Sequence, residues 1–104
     1  MRMIAWAIWL ILATASAAAQ DAGNPVAGQG LARQWCAECH DIGAAGAQAP
    51  TRGPPFEDIA RMPSTTGLAL SVFLRSPHAT MPNITLTKAQ SDDLVAYILS
   101  LAKR

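Results

Sequence analysis

"WCAECHD", residues 35–41, contains both cysteines of this 104-residue chain, with a histidine directly after the second. Two thiols and an imidazole fall between Cys36 and His40, and the rest of the chain adds only one further histidine, His78. Thiol–disulfide exchange through Cys36 and Cys39 is one use for such a pair, but a redox C-x-x-C normally follows a strand of a βαβ unit. Here the approach, "GQGLARQW" (28–35), has no Val/Ile-rich run and reads as helix. Structural zinc is a second use, and it asks for four nitrogen or sulfur ligands, usually as two separated pairs. No second cysteine pair exists in the chain.

The third use is covalent haem, for which C-x-x-C-H is the attachment signature. Each thiol adds to one vinyl group of the porphyrin, and two intervening residues let a single helical turn span both attachment points. The next residue, His40, is then carried under the iron as proximal ligand. Cys36, Cys39 and His40 would together tether the ring and ligate its metal, which is why the cluster is so tight. The cofactor expected on this motif is one covalent haem c.

Such attachment belongs to exported proteins, and the first residues carry the matching signal. "MRMIAWAIWLILATASAAAQ" (1–20) has Arg2, an apolar stretch from Met3 to Ala13, and then small residues. These are the n-region, h-region and A-x-A cleavage pattern of a secretory signal peptide. Cleavage after Ala19 divides the chain into a signal peptide, 1–19, and a single domain, 20–104, with Ala17 as an alternative site. An uncleaved anchor is the rival reading, but the apolar run falls short of the roughly 20 residues a spanning helix needs. The expected location is therefore the periplasm, with no membrane span after cleavage. One of the eight basic residues, Arg2, leaves with the signal, so the remaining basic residues equal the seven acidic ones. Nothing in that balance suggests a nucleic-acid or anionic-membrane partner. A domain of about 85 residues has a marginal core and needs a staple, a role that a large apolar cofactor fills.

Helical punctuation runs through the rest. Asn24 can cap a helix with Pro25 at its first position, continuing through Leu31, Ala32 and Trp35 to the motif. Gly28 is costly inside that helix unless something packs closely against it. "DIGAAGAQAPTRGP" (41–54) reads as loop, and "PFEDIARM" (55–62) as a short helix started by Pro55, with Phe56, Ile59 and Ala60 inward. "TGLALSVFLR" (66–75) puts Leu70, Phe73 and Leu74 on one face, and Pro77 ends it. In the last helix Thr87 and Gln90 form a capping box, and Asp92, Asp93, Lys103 and Arg104 suit the helix dipole. Leu94, Tyr97, Ile98 and Leu101 form one apolar stripe. No strand is expected: the fold class is all-α, four or so short helices around one haem.

Iron in haem has two axial positions, and Met and His are usual occupants. After the leader, the methionines are Met62 and Met81. Met62 lies beside a helix end, where filling the core explains it. Met81 lies in a loop between Thr80 and Pro82, with no helical face to serve, and is the expected distal ligand. His78 and an open or water-bound site are the alternatives.

With C-A-E-C-H near one end, "SPHATMPN" (76–83) near the other and "LVAYILSL" (94–101) closing the chain, the sequence resembles small bacterial class I cytochromes c from Gly28 to Leu101. The resemblance implies a small cytochrome c fold in which the first and last helices cross closely, so that Gly28 meets Leu94 and Tyr97. It implies that a proline carbonyl, best matched by Pro54 in "GPPF", orients His40, and that Met81 is the distal ligand. Two departures stand out. Ala32 replaces an aromatic often found four residues before the first cysteine. The lysine-rich ring of mitochondrial-type members is missing, since Lys88 and Lys103 are the only lysines. Arg52 and Arg61 could meet the propionates, but each reads more simply as a solvated arginine. A haem held by His and Met has no vacant position for substrate, so an electron carrier, not an enzyme, is expected, with redox proteins as partners. A haem subunit of a periplasmic dehydrogenase or oxidase, and a peroxidase or gas sensor, are the rivals.

Overall fold

Asn24 starts the first helix, α1 (Pro25–Trp35), by accepting hydrogen bonds from the Val26 and Ala27 amides at 2.9 and 3.3 Å. Pro25 takes the first position, where a missing N–H costs nothing. The structure, a computed structural model, describes residues 23–44, 52–77 and 80–103. The signal peptide 1–19, its cleavage site and His78 lie outside the described residues.

α2 (Phe56–Arg61) is preceded by Pro55, which stands one position before the helix and not at its start. Phe56 and Ala60 are buried and Ile59 partly so, as the spacing expects. α3 (Gly67–Arg75) is capped by Thr66, whose hydroxyl accepts from the Ala69 amide at 3.0 Å. It stops at Ser76, which is extended because it precedes Pro77. α4 (Lys88–Ser100) has the full capping box: Gln90 N–H donates to Thr87 Oγ1 at 3.1 Å, and Thr87 N–H donates to Gln90 Oε1 at 2.9 Å. A 3-10 turn, Leu101–Lys103, completes it. No strand occurs among the described residues, and the fold is all-α.

The stripe on α4 is the core. Leu94, Tyr97, Ile98 and Leu101 are each 3% exposed or less, and α1, α2 and α3 all pack on α4. α1 crosses it most extensively, and the glycine explains how. A side chain at Gly28 would put its Cβ 2.6 Å from the Asp93 carbonyl carbon and 2.8 Å from Tyr97 Cβ. The nearest atoms are thus those of Tyr97, as expected, and of the Asp93 backbone, next in sequence to Leu94. Ala32, four residues on and on the same face, is fully buried. A methyl group there lets the two helices stay close.

Two expectations change. Asp92 and Asp93 lie beyond the first turn of α4, so their work is not with its dipole. Asp92 accepts from Lys88 Nζ at 2.7 Å, and Asp93 accepts from the Asn24 amide at 2.7 Å, tying the start of α1 to α4. Met62, expected in the core, is 48% exposed. α2 ends at Arg61 and Met62 is extended ahead of Pro63, which carries its side chain off the helix's inner face.

Candidate functional site

The backbone turns once beyond α1. Cys36 N–H donates to Ala32 O at 2.9 Å, and the amides of Cys39 and His40 both return to Cys36 O, at 3.1 and 2.9 Å. The helix therefore hands over to a single tight turn that holds Cys36, Cys39 and His40. Both cysteines are free thiols, Cys36 buried and Cys39 half-buried. Burial, with Cys39 alongside, pushes the Cys36 thiol up to about 11, so it keeps its proton at neutral pH.

His40 is aimed by the loop that precedes α2. Its Nδ1 lies 2.7 Å from the carbonyl oxygen of Pro54. A carbonyl can only accept, so Nδ1 carries a proton, and in the neutral tautomer that this selects the lone pair is on Nε2. Two backbone bonds bracket the histidine and hold this loop to it: Gly53 N–H to Cys39 O at 2.8 Å and Phe56 N–H to Asp41 O at 2.9 Å. The Phe56 ring sits 5.1 Å from the imidazole, tilted by 45°. Beyond the motif, Ile42 is fully buried, and its carbonyl accepts from the Tyr97 hydroxyl at 2.5 Å. Gly43 then turns the chain at φ +74°, a conformation that glycine adopts without strain.

Met81 is half-buried and lines a cleft together with Trp35, Cys36, Phe73, Leu74 and Ile84. Among the described residues, none on the cleft wall is charged. Phe73, expected inward with Leu70 and Leu74, is 44% exposed because it faces this cleft, while Leu70 is buried. Cys36 and Met81 thus meet in one cleft, and His40 and Pro54 meet through a hydrogen bond. Cys39 and His40 are not on the cleft wall; the turn joins them to it through Cys36. Arg52 is exposed, and Arg61 forms an ion pair with Glu57 at 2.5 Å with both side chains about half exposed, an arrangement worth little. Sequence reasoning missed the lining residues Trp35 and Phe73 and the contact of Gly53 with His40. For the last, the only available signal was the Gly-Pro pair.

Four short helices among the described residues, three of them (α1, α3 and α4) reaching a cleft whose described lining carries no charge, with C-x-x-C-H at the end of the first, define a small class I c-type cytochrome with a single haem. The chain belongs to the cytochrome c family: residues 23–98 match the family model described as "Cytochrome C oxidase, cbb3-type, subunit III". It is also 41% identical over 98 residues to cytochrome c-552 of Bradyrhizobium diazoefficiens, covering 90% of this chain and 91% of that protein. No solved structure matches the chain.

A cytochrome c domain carries covalently bound haem c, and the residues here fit it. Two free thiols stand a helical turn apart, one of them on the wall of a cleft that is mostly apolar, with Ser76 and Asn83 as its polar members among the described residues. The Pro54 bond holds the Nδ1 side of the imidazole beside them, which leaves Nε2 as the nitrogen turned away from that bond and available to a metal. Met81, which carries a thioether sulfur, lines the same cleft, and sulfur and imidazole are the donor types that haem iron takes.

Proposed function

We propose that this chain is a periplasmic one-electron carrier whose haem c is joined to Cys36 and Cys39, with its iron held between His40 and Met81. The observation that carries the proposal is the shared wall of Cys36 and Met81 on a cleft with no charge among its described lining residues. Bound haem supplies a metal that changes oxidation state by one electron. The protein's residues supply the rest. Pro54 keeps the Nδ1 proton in place and so fixes which nitrogen of His40 faces the metal. Phe73, Leu74 and Ile84 give the cleft apolar wall, which would limit the water around a haem held there. Met81 would supply the iron's other protein ligand, and a thioether there would give a higher potential than a second histidine. With His40 and Met81 both holding the iron, no position would be left for a substrate, which favours a carrier over an enzyme. Residues 1–19 direct export and are removed, leaving no spanning segment; among the described residues no helix is long and apolar enough to cross a membrane.

A second reading has one observation in its favour. The matching family model is described as an oxidase subunit, which supports a haem subunit working inside a complex. Purification from membranes under mild detergent separates the two: a carrier elutes alone, and a subunit brings an oxidase with it. Carbon monoxide tests the ligation. The reduced protein should bind it slowly or not at all, and Met81→Ala should bind it readily. Rapid, stoichiometric binding by the wild type would assign the protein to the sensors or peroxidases.

A further inference from the structure

Gly53 has a relation to His40 that its backbone does not explain. Its φ lies outside the left-handed region, so any residue could adopt its conformation. What excludes other residues is the imidazole. A Cβ at position 53 would stand 2.5 Å from Cε1, 2.7 Å from Nδ1 and 2.9 Å from Nε2 of His40. These three distances are nearly equal, which locates the point over the ring face. Approach in the ring plane toward Cε1 would leave both nitrogens markedly farther away than the carbon. The glycine is also pinned there, since its amide donates to Cys39 O at 2.8 Å, directly before the histidine. It cannot retreat without breaking that bond, and the next residue supplies the carbonyl that holds Nδ1.

We infer that Gly53 is a positioning residue for the iron ligand: its bare Cα forms a flat stop against one face of the His40 imidazole and sets the plane in which Nε2 is presented. The inference rests on the reading of His40 as the proximal ligand. The Pro54 bond fixes one atom of the ring but leaves rotation about the Nδ1···O line. A contact on the ring face removes that rotation, and Phe56, tilted by 45° at 5.1 Å, adds no parallel face of its own. A methyl group at position 53 must tilt the imidazole or push it off Pro54, because the contact is far inside ordinary carbon separations of about 3.5–4.0 Å.

The test is Gly53→Ala in the haem-loaded protein, with Gly43→Ala as control. Gly43 lies in the same loop region, and an alanine there is strained by its φ of +74° but meets only Leu101 side-chain carbons at 3.3 Å and beyond. Gly43→Ala should therefore lower stability without touching the ligand. In Gly53→Ala, the hyperfine-shifted haem methyl signals and the g-value spread of the ferric protein should move, because both follow the imidazole plane. The Nδ1 proton should exchange with solvent about tenfold faster, the order expected for losing one hydrogen bond. Both readouts should match wild type in Gly43→Ala. If Gly53→Ala keeps the wild-type signals and exchange rate, the inference is overturned. If Gly53→Ala accumulates no haem-loaded protein while Gly43→Ala does, it stands; equal loss in both overturns it. Absence of imidazole-ligand signals from the wild type would instead overturn the assignment of His40, which separates the two failures.

Discussion

Two glycines in α1, two positions apart, should respond to alanine with opposite signs. Helix propensity favours alanine over glycine by about 0.5–1 kcal/mol at either position. At Gly30 nothing lies within 4 Å of an added Cβ, so that gain should be realised in full. At Gly28 the new Cβ would sit 2.6 Å from the Asp93 carbonyl carbon and 2.8 Å from Tyr97 Cβ. Comfortable carbon contacts are about 3.5–4.0 Å, so α1 and α4 would have to separate by about 1 Å. The obstacle includes α4 backbone, which no rotamer change can relieve, so the cost belongs at the upper end of the roughly 1–3 kcal/mol typical of overpacking. Net of propensity, Gly28→Ala should lose about 2 kcal/mol, and Gly28→Leu about 4 kcal/mol, against a total of about 5–10 kcal/mol for a domain this size. At about 4–8 °C per kcal/mol, Gly28→Ala should melt about 8–16 °C below wild type and Gly30→Ala a few degrees above it. Thermal and urea melts of the haem-loaded proteins, followed by far-ultraviolet circular dichroism, measure both. If Gly28→Ala is as stable as Gly30→Ala, close crossing is not the reason for glycine at 28.

Met81→Ala should abolish the weak far-red sulfur-to-iron band of the oxidised protein, whereas Met62→Ala, at an exposed site, should leave it intact; the reverse pattern would make Met62 the ligand. Tyr97→Phe leaves the buried Ile42 carbonyl without its donor and should lower stability by about 1–2 kcal/mol in urea melts, without changing the visible spectrum. In the haem-free chain, iodoacetamide at pH 8 should label Cys39 well ahead of Cys36, because burial holds Cys36 protonated; equal rates would mean that the cleft forms only around haem. The same shift has a sign for stability: the folded chain keeps a Cys36 proton that the unfolded chain releases, so this contribution is complete below pH 9.0 and is lost as pH rises through about 11, which urea titrations across that range would show.

The helices were legible because their signals are local. Asn24 with Pro25, Thr66, and Thr87 with Gln90 each cap their own segment, and the α4 stripe announces itself by spacing alone. Cys36, Cys39 and His40 were legible for the same reason, since their chemistry needs them to be adjacent. What the sequence hid depends on contacts between distant segments. Met62 has the composition of a core residue, and only the extended backbone before Pro63 sends it outward. Asp93 reads as a charge suited to a helix start, yet its partner is an amide 69 residues away. Phe73 has the spacing of Leu70, but the surface it faces is a cleft and not another helix. Gly53 looks like ordinary loop composition until the imidazole is placed over it.

The clasp between Asn24 and Asp93 also dictates an order of assembly. Its partners are 69 residues apart, and the two helices it joins are the first and the last among the described residues. Closing so long a loop is entropically costly and is repaid only when both faces are present at once, which makes it a late step. α2 and α3 dock on α4, so they too have no finished surface until it is available. A chain growing or being threaded from its N-terminus therefore presents the turn at Cys36 and Cys39 long before the core can shut over it. The delay leaves both thiols open to whatever machinery joins them to the porphyrin, and α4 seals the product afterwards.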